Sequence, residues 1–143
     1  MSNFCTLLET FKSSTNFRHA LEVYNSLTEE EKKFVAPNGL KDVPGWRYVM
    51  YQDNEPAAFI FIHDFYEDNS AGFITMAVKK EYRRSGLALS LLKIGVNYFK
   101  RSSFKELIFR CDSNNIASYK LAKKFGFKTK YIAVDKLTFY ISK

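Results

Sequence analysis

The spacing of apolar and polar residues predicts two short helices in the first quarter of the chain. Over residues 16–27, apolar side chains recur every three to four positions, as on one face of an α-helix. Thr28 is followed three residues later by Glu31, which is the pattern of a capping box at a helix start. We expect this second helix to end near Ala36, because the proline and glycine within 37–39 favour a turn.

Three apolar runs after this turn predict strands. Residues 46–51 and 57–63 are separated by a polar segment, 52–56, and are expected to form a hairpin. Residues 72–78 are almost entirely apolar, which is typical of a strand that is covered on both faces. The hydrophobic pattern therefore changes from a helical period to that of a buried sheet.

The second half of the chain alternates helices with strands. The predicted elements are a helix over 87–101, a strand over 106–111, a helix from Asn114 or Asn115 that ends at Gly126, and a hairpin of 127–134 and 137–141 around Asp135 and Lys136. In the last helix, Ala117, Leu121 and Phe125 share the apolar face. The order α-α-β-β-β-α-β-α-β-β indicates an α/β fold with a parallel or mixed sheet.

Composition indicates one globular domain over residues 1–143. The chain is 46% hydrophobic and 26% charged, and its length is sufficient to bury a core. No apolar run approaches the roughly 18 residues of a membrane helix, and the start lacks the pattern of a signal peptide. The two cysteines and two histidines are scattered, so we expect no disulfide framework and no metal site. These features favour a cytoplasmic protein without a membrane partner.

Charge is distributed unevenly along the chain. Residues 1–75 contain 6 Lys and Arg against 11 Asp and Glu, whereas residues 76–143 contain 16 against 4. A basic half suggests a polyanionic partner, such as a nucleic acid or a phosphate-bearing cofactor, unless it is simply a solvated lysine-rich surface. Nucleic acid is not expected, because the aromatic residues fall mainly within apolar runs and no nucleic-acid-binding motif is present.

The most informative segment is the basic turn between the third predicted strand and the helix that follows it. Residues 83–88 read R-R-S-G-L-A, which fits [Q/R]-x-x-G-x-[G/A] and neither a Walker loop nor a dinucleotide-binding fingerprint. A glycine turn that opens a helix exposes free backbone N–H groups at the positive end of the helix dipole. Such a turn favours phosphate binding, to which Arg83 and Arg84 add positive charge.

A second motif follows at a defined distance. Asn115 lies 29 residues after Gly86 and opens the pattern N-x-x-S-x-x-L-x-x-x-F-G-F, which ends at Phe127. Together the two motifs resemble the GNAT superfamily of acyl-CoA-dependent N-acyltransferases, specifically over residues 73–127. The two leading helices and the closing hairpin extend this resemblance over the whole chain. The resemblance implies an α/β fold with a mixed, mostly antiparallel sheet, in which a central splayed pair of parallel strands is flanked by helices.

The resemblance also implies acetyl-CoA as the co-substrate, bound where strands 72–78 and 106–111 separate. In the family, the first strand binds the pantetheine arm, the turn holds the pyrophosphate, and the last helix contacts the pantetheine and the thiol end. The residues that match these positions are Met76, Ala77, Val78, Arg83, Arg84, Ser85, Gly86, Leu87, Ala88, Leu89, Asn115 and Ser118.

Several of these positions have a simpler interpretation. Asn115 also suits a helix N-cap, and Arg83 also suits an ordinary surface cation. Lys120, Lys123 and Lys124 are candidates for the 3′-phosphate, although a solvated helix face explains each of them better.

The implied reaction is transfer of an acetyl group from acetyl-CoA to a primary amine. The positions at which family members often carry an acid or a base are here Gly72, Arg110 and Ala122, so the usual groups are missing. Tyr119 is the candidate proton donor to the thiolate, unless it is a packed aromatic residue. His63, or one of the carboxylates Asp64, Glu67 and Asp68, is the candidate proton relay, and catalysis by positioning alone is the alternative.

The sequence says less about the acceptor and the oligomeric state. The acidic first half suits a cationic amine acceptor, which can be a small molecule or a protein. Because the usual acid and base are missing, the alternative function is a catalytically silent acyl-CoA-binding sensor of the same fold. Family members are often dimers, and the resemblance therefore favours a homodimer.

Overall fold

Seven strands form a single sheet in the computed structural model, which describes residues 3–8, 14–66, 68–133 and 136–143. The elements are β1 (Asn3–Leu8), α1 (Ser14–Asn25), α2 (Glu29–Val35), β2 (Trp46–Gln52), β3 (Glu55–Asp64), β4 (Ala71–Val78), a 3₁₀ turn (Lys80–Tyr82), α3 (Leu87–Arg101), β5 (Glu106–Asp112), α4 (Ile116–Lys124), β6 (Lys128–Ile132) and β7 (Lys136–Ser142). The sheet order is β1-β2-β3-β4-β5-β7-β6.

Only one pair of neighbouring strands in this sheet is parallel. Strands β4 and β5 run in the same direction and are linked by α3, whereas the other five neighbouring pairs are antiparallel. A helix between β4 and β5 is expected, because two parallel strands need a crossover connection, whereas two antiparallel strands can be joined by a tight turn. The predicted mixed, mostly antiparallel sheet with a central parallel pair is therefore confirmed.

Local sequence signals fix several element ends as predicted. The Thr28 side chain accepts a hydrogen bond from the Glu31 N–H at 3.1 Å, and the Glu31 carboxylate accepts one from the Thr28 N–H at 2.9 Å, which completes the capping box. Helix α3 has the predicted bounds. Gly126 adopts φ +82°, and its N–H donates to the Lys123 carbonyl at 3.0 Å, as in a glycine-terminated helix.

Three details of the prediction differ from the structure. No element was predicted over Asn3–Leu8, which pairs as β1 with β2. In α4 the buried residue is Ala122, whereas Ala117 is exposed, so the predicted apolar face was wrong at that position. Asp135 of the predicted hairpin turn lies outside the described residues, and Lys136 is already the first residue of β7.

The two faces of the sheet carry separate hydrophobic cores. On one face, which we call the α3 face, Leu91 and Phe99 of α3 pack with residues of β3, β4 and β5. On the other, the α1 face, Val23 of α1 packs with Phe59 and Phe61 of β3. Helix α2 packs against β4 and β5, and its last residue, Val35, packs against the core of the α1 face.

Arg47 is a charged side chain inside the core of the α1 face. It is only 1% exposed and lies between the rings of Phe17 and Phe61, 5.3 and 5.2 Å from their centroids. Its guanidinium donates to the Asp42 carboxylate and, at 3.0 Å, to the Val43 carbonyl. Nε and Nη1 are buried without a hydrogen-bond partner among the described residues. This charge therefore costs desolvation that one ion pair with a half-exposed carboxylate offsets only in part.

Replacing Arg47 tests whether its charge or its volume stabilises the fold. We expect Arg47→Met to keep the free energy of unfolding within about 1 kcal/mol of the parent or to raise it, because methionine fills the space between the rings without buried donors. Arg47→Ala leaves a cavity and is expected to lower it by about 3 kcal/mol. Urea unfolding measures both. An equal loss in the two variants would show that the ion pair, and not the packing, is the stabilising contact.

Candidate functional site

Strands β4 and β5 separate soon after they meet. They pair at three positions, Ala71 with Glu106, Gly72 with Leu107 and Phe73 with Ile108. Beyond these pairs, β4 continues alongside β3 as far as Val78, and β5 continues alongside β7 as far as Asp112. A wedge-shaped opening, here called the gap, therefore lies between residues 74–78 of β4 and residues 109–112 of β5. The pair Phe73–Ile108 forms its apex.

The hydrogen bonds at the two ends of the β3–β4 ladder show which residues of β4 face the gap. The Lys79 N–H donates to the Ala57 carbonyl at 2.8 Å, and the Phe65 N–H donates to the Ala71 carbonyl at 2.8 Å. Bonded pairs alternate along an antiparallel ladder. The odd-numbered residues of β4 therefore direct their backbone groups to β3, and the even-numbered residues direct theirs into the gap.

Met76 and Val78 are thus the residues of the predicted pantetheine-binding stretch whose backbone faces the gap. Ala77, between them, directs its N–H and carbonyl to β3 and its side chain to the core of the α1 face. The Val78 carbonyl accepts a hydrogen bond of 3.0 Å from Arg83 Nε. Apart from this carbonyl, the edge of β4 along the gap offers donors and acceptors of the kind that an added strand would use.

The N-terminus of α3 lies just beyond the end of β4 and carries free N–H groups. Gly86 is the N-cap with φ +83°, and no side chain caps the helix. The Ser90 N–H makes the first intrahelical bond, to the Gly86 carbonyl at 3.0 Å, which leaves the N–H groups of Leu87, Ala88 and Leu89 without helical acceptors. The first turn contains no acidic residue, and a Cβ on Gly86 would meet nothing within 4 Å. This end of a 15-residue helix is therefore open to an anion.

The charged residues of the turn have different roles. Arg83 bridges two elements, since Nη1 lies 2.6 Å from the Glu31 carboxylate of α2 while Nε bonds the Val78 carbonyl. The hydrogen bond from Arg83 holds the pKa of Glu31 below its ordinary value. Arg84 is exposed in a left-handed conformation, φ +71°, and makes no ion pair with any described residue. The Ser85 hydroxyl donates to the Tyr82 carbonyl and so stabilises the turn itself.

The start of α4 lies at the other side of the gap, just after the end of β5. Asn115 is the N-cap of α4, and its side-chain oxygen accepts the Ser118 N–H at 3.0 Å. The capping role is therefore present, and it uses the amide oxygen while leaving the exposed amide nitrogen able to donate to a ligand. Ser118 is half-buried one turn into the helix.

Tyr119 does not point into the gap. Its ring packs 5.8 Å from that of Phe139 on β7, which lies on the side of β5 away from β4. Lys123 lies over both rings and its Nζ bonds the Thr129 hydroxyl at 3.3 Å, whereas Lys120 and Lys124 are exposed. This placement agrees with a packed aromatic residue and a mostly solvated basic face.

His63 lies on the α1 face next to the apex of the gap. Its ring meets that of Phe73 edge-on, with centroids 5.6 Å apart, and its Nδ1 is buried without a partner among the described residues. Burial lowers the pKa of His63, and the nearby Asp64 opposes this effect. The imidazole is therefore mainly neutral at pH 7 and able to accept a proton.

Arg110, on β5, also contacts the ring of Phe73. Its guanidinium carbon is 5.4 Å from the centroid of Phe73 and 5.2 Å from that of Phe65. The sequence identified Arg110 only as the residue at a position where a base was missing, and it gave no signal for this stacking. Residues 63, 73 and 110 are far apart in the chain and are brought together by the order of β3, β4 and β5.

The remaining titratable candidates are less suited to chemistry. Asp64 and Asp68 accept backbone N–H groups of their own loop, and Glu67 lies outside the described residues. Burial, followed by the nearby Asp112, raises the pKa of the Cys111 thiol to about 11, so this thiol is not a nucleophile at neutral pH. In the described part of the chain, no group of three potential metal ligands occurs, and no helix is long and apolar enough to cross a membrane.

Comparison with known proteins identifies the family of the chain. A model of the acetyltransferase (GNAT) family matches residues 7–127. No curated protein matches the chain in sequence.

Three solved structures illustrate the fold. The ribosomal-protein-S18-alanine N-acetyltransferase from Escherichia coli is 17% identical with a TM-score of 0.72, covering 99% of this chain and 94% of that one. An N-acetyltransferase from Staphylococcus aureus Mu50 is 16% identical with a TM-score of 0.75, covering 99% of both chains. The yncA protein from Salmonella typhimurium, solved with acetyl-CoA, is 11% identical with a TM-score of 0.73, covering 99% of this chain and 94% of that one. At these identities the likeness shows the fold alone.

The ion pair between Glu31 and Arg83 predicts a pH-dependent contribution to stability. Because the pKa of Glu31 is lower in the folded chain than its ordinary 4.5, the contribution is fully present above that value and is lost as pH falls through the folded pKa. Both side chains are about one-third exposed, so we expect Glu31→Gln to lower the free energy of unfolding by less than about 1 kcal/mol at pH 7. Glutamine at this position keeps the capping box.

Urea unfolding of the parent and Glu31→Gln at pH 7 and pH 3 measures this contribution. The matched control is Glu30→Gln, which removes a more exposed pair with Lys33 on the same helix. A difference between parent and Glu31→Gln that persists unchanged at pH 3 would contradict the assignment to the ion pair.

Proposed function

Because the chain belongs to the acetyltransferase (GNAT) family, we propose that it is an N-acetyltransferase that moves the acetyl group of acetyl-CoA to the primary amine of an acceptor. The proposal treats residues 1–143 as one acetyltransferase domain. The observation that carries it is the gap itself, where the strand edge at Met76 and Val78 has no partner strand and leads to the free N–H groups of α3.

These two features suit the two chemically different parts of acetyl-CoA. The pantetheine arm contains amide groups, which pair with an exposed strand edge as a further strand would. Met76 and Val78 are two residues apart on β4, so their backbone groups that face the gap lie roughly 7 Å apart along the strand edge. The pyrophosphate is an anion and suits the N-terminus of α3, with Arg84 as an adjacent free cation. When bound, acetyl-CoA supplies an activated thioester.

The chain's own groups can support transfer to an amine. An amine of pKa about 10 must give up a proton before or during attack, and neutral His63 is the titratable group beside the apex that can take it, directly or through a water molecule. A new C–N bond then forms and the C–S bond breaks, and CoA leaves as a thiolate that takes up a proton from His63 or from a water molecule. Backbone N–H groups on the even-numbered residues of β4 are the donors available to the developing oxyanion.

The turn at Gly86 provides the direct test of cofactor binding. We expect Gly86→Asp to reduce the affinity for acetyl-CoA at least 100-fold, because a carboxylate there repels the pyrophosphate from the free N–H groups. Isothermal titration of acetyl-CoA into parent and variant measures the loss. The matched control is Gly39→Asp, since Gly39 has φ +89° and similarly open surroundings, so the backbone strain and the added charge are the same.

The assignment of the pyrophosphate to this turn would be contradicted if the folded parent did not bind acetyl-CoA. It would also be contradicted if Gly39→Asp lost as much affinity for acetyl-CoA as Gly86→Asp.

The role of His63 is tested by turnover. We expect His63→Gln to lower kcat by about 100-fold at pH 7 while leaving the affinity for acetyl-CoA unchanged, as for loss of a general base. Thiol release over a panel of amines measures turnover. The control is His19→Gln, which replaces the other histidine; His19 lies on α1 and bonds Tyr51 of β2. Unchanged kcat in His63→Gln would assign catalysis to positioning alone. Binding without thiol release from any amine would instead favour the acyl-CoA sensor.

A further inference from the structure

Arg110 extends over the apex of the gap from the side opposite α3. Leu107, Phe109 and Cys111 of β5 lie in the core of the α3 face, so the alternation of side chains directs Arg110 to the α1 face. It comes two residues after the last pair between β4 and β5. Since its guanidinium stacks on Phe73 of β4, the side chain crosses from β5 to β4 directly above the apex.

The charge of Arg110 has no partner in the described part of the chain. None of the ion pairs or hydrogen bonds found there involves it. Among the described carboxylates near it, Glu106, on the same face of β5, pairs with Lys130 at 2.7 Å, and Asp64 accepts the N–H groups of Tyr66 and Asn69. Arg110 is therefore a cation without a counter-ion among the described residues.

The two phenylalanine rings also determine what Arg110 can bind. Rings of Phe65 and Phe73 lie within 5.2 and 5.4 Å of the guanidinium carbon and hold it in place without using any of its N–H groups. A guanidinium has five N–H donors in one plane, which match the two oxygens of a carboxylate. The group is thus oriented in advance for an oxyanion, and it disfavours a second positive charge at the same place.

Resting on the proposed function, we propose that the acceptor is a small amine that also carries a carboxylate, as an amino acid does, and that Arg110 binds this carboxylate. The acetyl group would lie in the gap, and the α1 face above the apex is where an amine can approach it. His63 and Arg110 both contact the ring of Phe73, so an acceptor held by Arg110 lies on the same face of the sheet as His63. This assignment replaces the cationic acceptor expected from the acidic first half of the chain.

The test compares acceptors that differ only in the negative charge. Amino acids and their carboxamides are offered with acetyl-CoA, and rates of thiol release are compared at equal concentrations of neutral amine. We expect the parent to prefer each acid over its amide by about 10- to 100-fold in kcat/KM. Arg110→Gln should lose this preference through a higher KM for the acid, with little change for the amide. Arg110→Lys should restore part of it, and the control Arg18→Gln on α1 should retain all of it.

Binding without turnover separates this inference from the proposed function. Calorimetry of an N-acetylamino acid titrated into the parent with CoA should show binding that Arg110→Gln abolishes, whether or not any amine is acetylated. Three results would overturn the role of Arg110. The parent would fail to bind the N-acetylamino acid, it would acetylate amides as fast as acids, or Arg110→Gln would lose equal activity toward both. Acetyl transfer to amides alone would leave the proposed function intact. Binding of the N-acetylamino acid without acetyl transfer to any amine would contradict the proposed function but not the carboxylate site at Arg110.

Discussion

The separation of β4 and β5 is the constraint on which the rest of the structure depends. Three pairs of residues hold the two strands together, and each strand then follows its other neighbour, so an unpaired edge lies in the middle of the sheet. Unpaired backbone groups away from water cost about 1–3 kcal/mol each. At Val78 the Arg83 side chain supplies the missing donor, and Glu31 of α2 holds that side chain in place. Farther into the gap, Met76 has its backbone directed at the same opening, which makes this edge suited to a ligand that can complete it.

The two sides of the gap differ in the groups that they offer to a ligand. Toward α3, the site consists mainly of backbone groups, at the edge of β4 and at the free turn of the helix. Above the apex on the α1 face, it consists of side chains, namely His63, Phe73 and Arg110. Backbone recognition depends on conformation and so leaves a short sequence pattern, a glycine at a fixed distance from a strand. Side-chain recognition depends on which strands become neighbours and leaves no such pattern.

This difference explains how much the sequence could predict. The capping box at Thr28, the bounds of α3 and the termination at Gly126 follow from local signals and were predicted correctly. Strand β1 was missed because only its pairing with β2, about 40 to 50 residues away in the chain, defines it. Ala122 rather than Ala117 is buried in α4 because apolar spacing defines the orientation of a helix of only nine residues poorly. The stacking of Arg110 on Phe73 and the bond from Arg83 to Val78 require the fold itself.

The fold compensates part of the charge asymmetry of the chain, in a way that the sequence did not suggest. Carboxylates of the acidic half neutralise cations of the basic half: Glu22 and Glu55 both pair with Lys79, at 2.7 and 3.6 Å, and Glu31 pairs with Arg83. These carboxylates are used in joining α1, α2 and β3 to the end of β4, so they do not form a site for a cationic amine. Arg84 and Arg110 have no such partner among the described residues, and they lie at the mouth and the apex of the same gap. One lies next to free N–H groups that suit a pyrophosphate, and the other is oriented by two rings for a carboxylate. An acceptor that is itself anionic is therefore the one whose charge this face compensates.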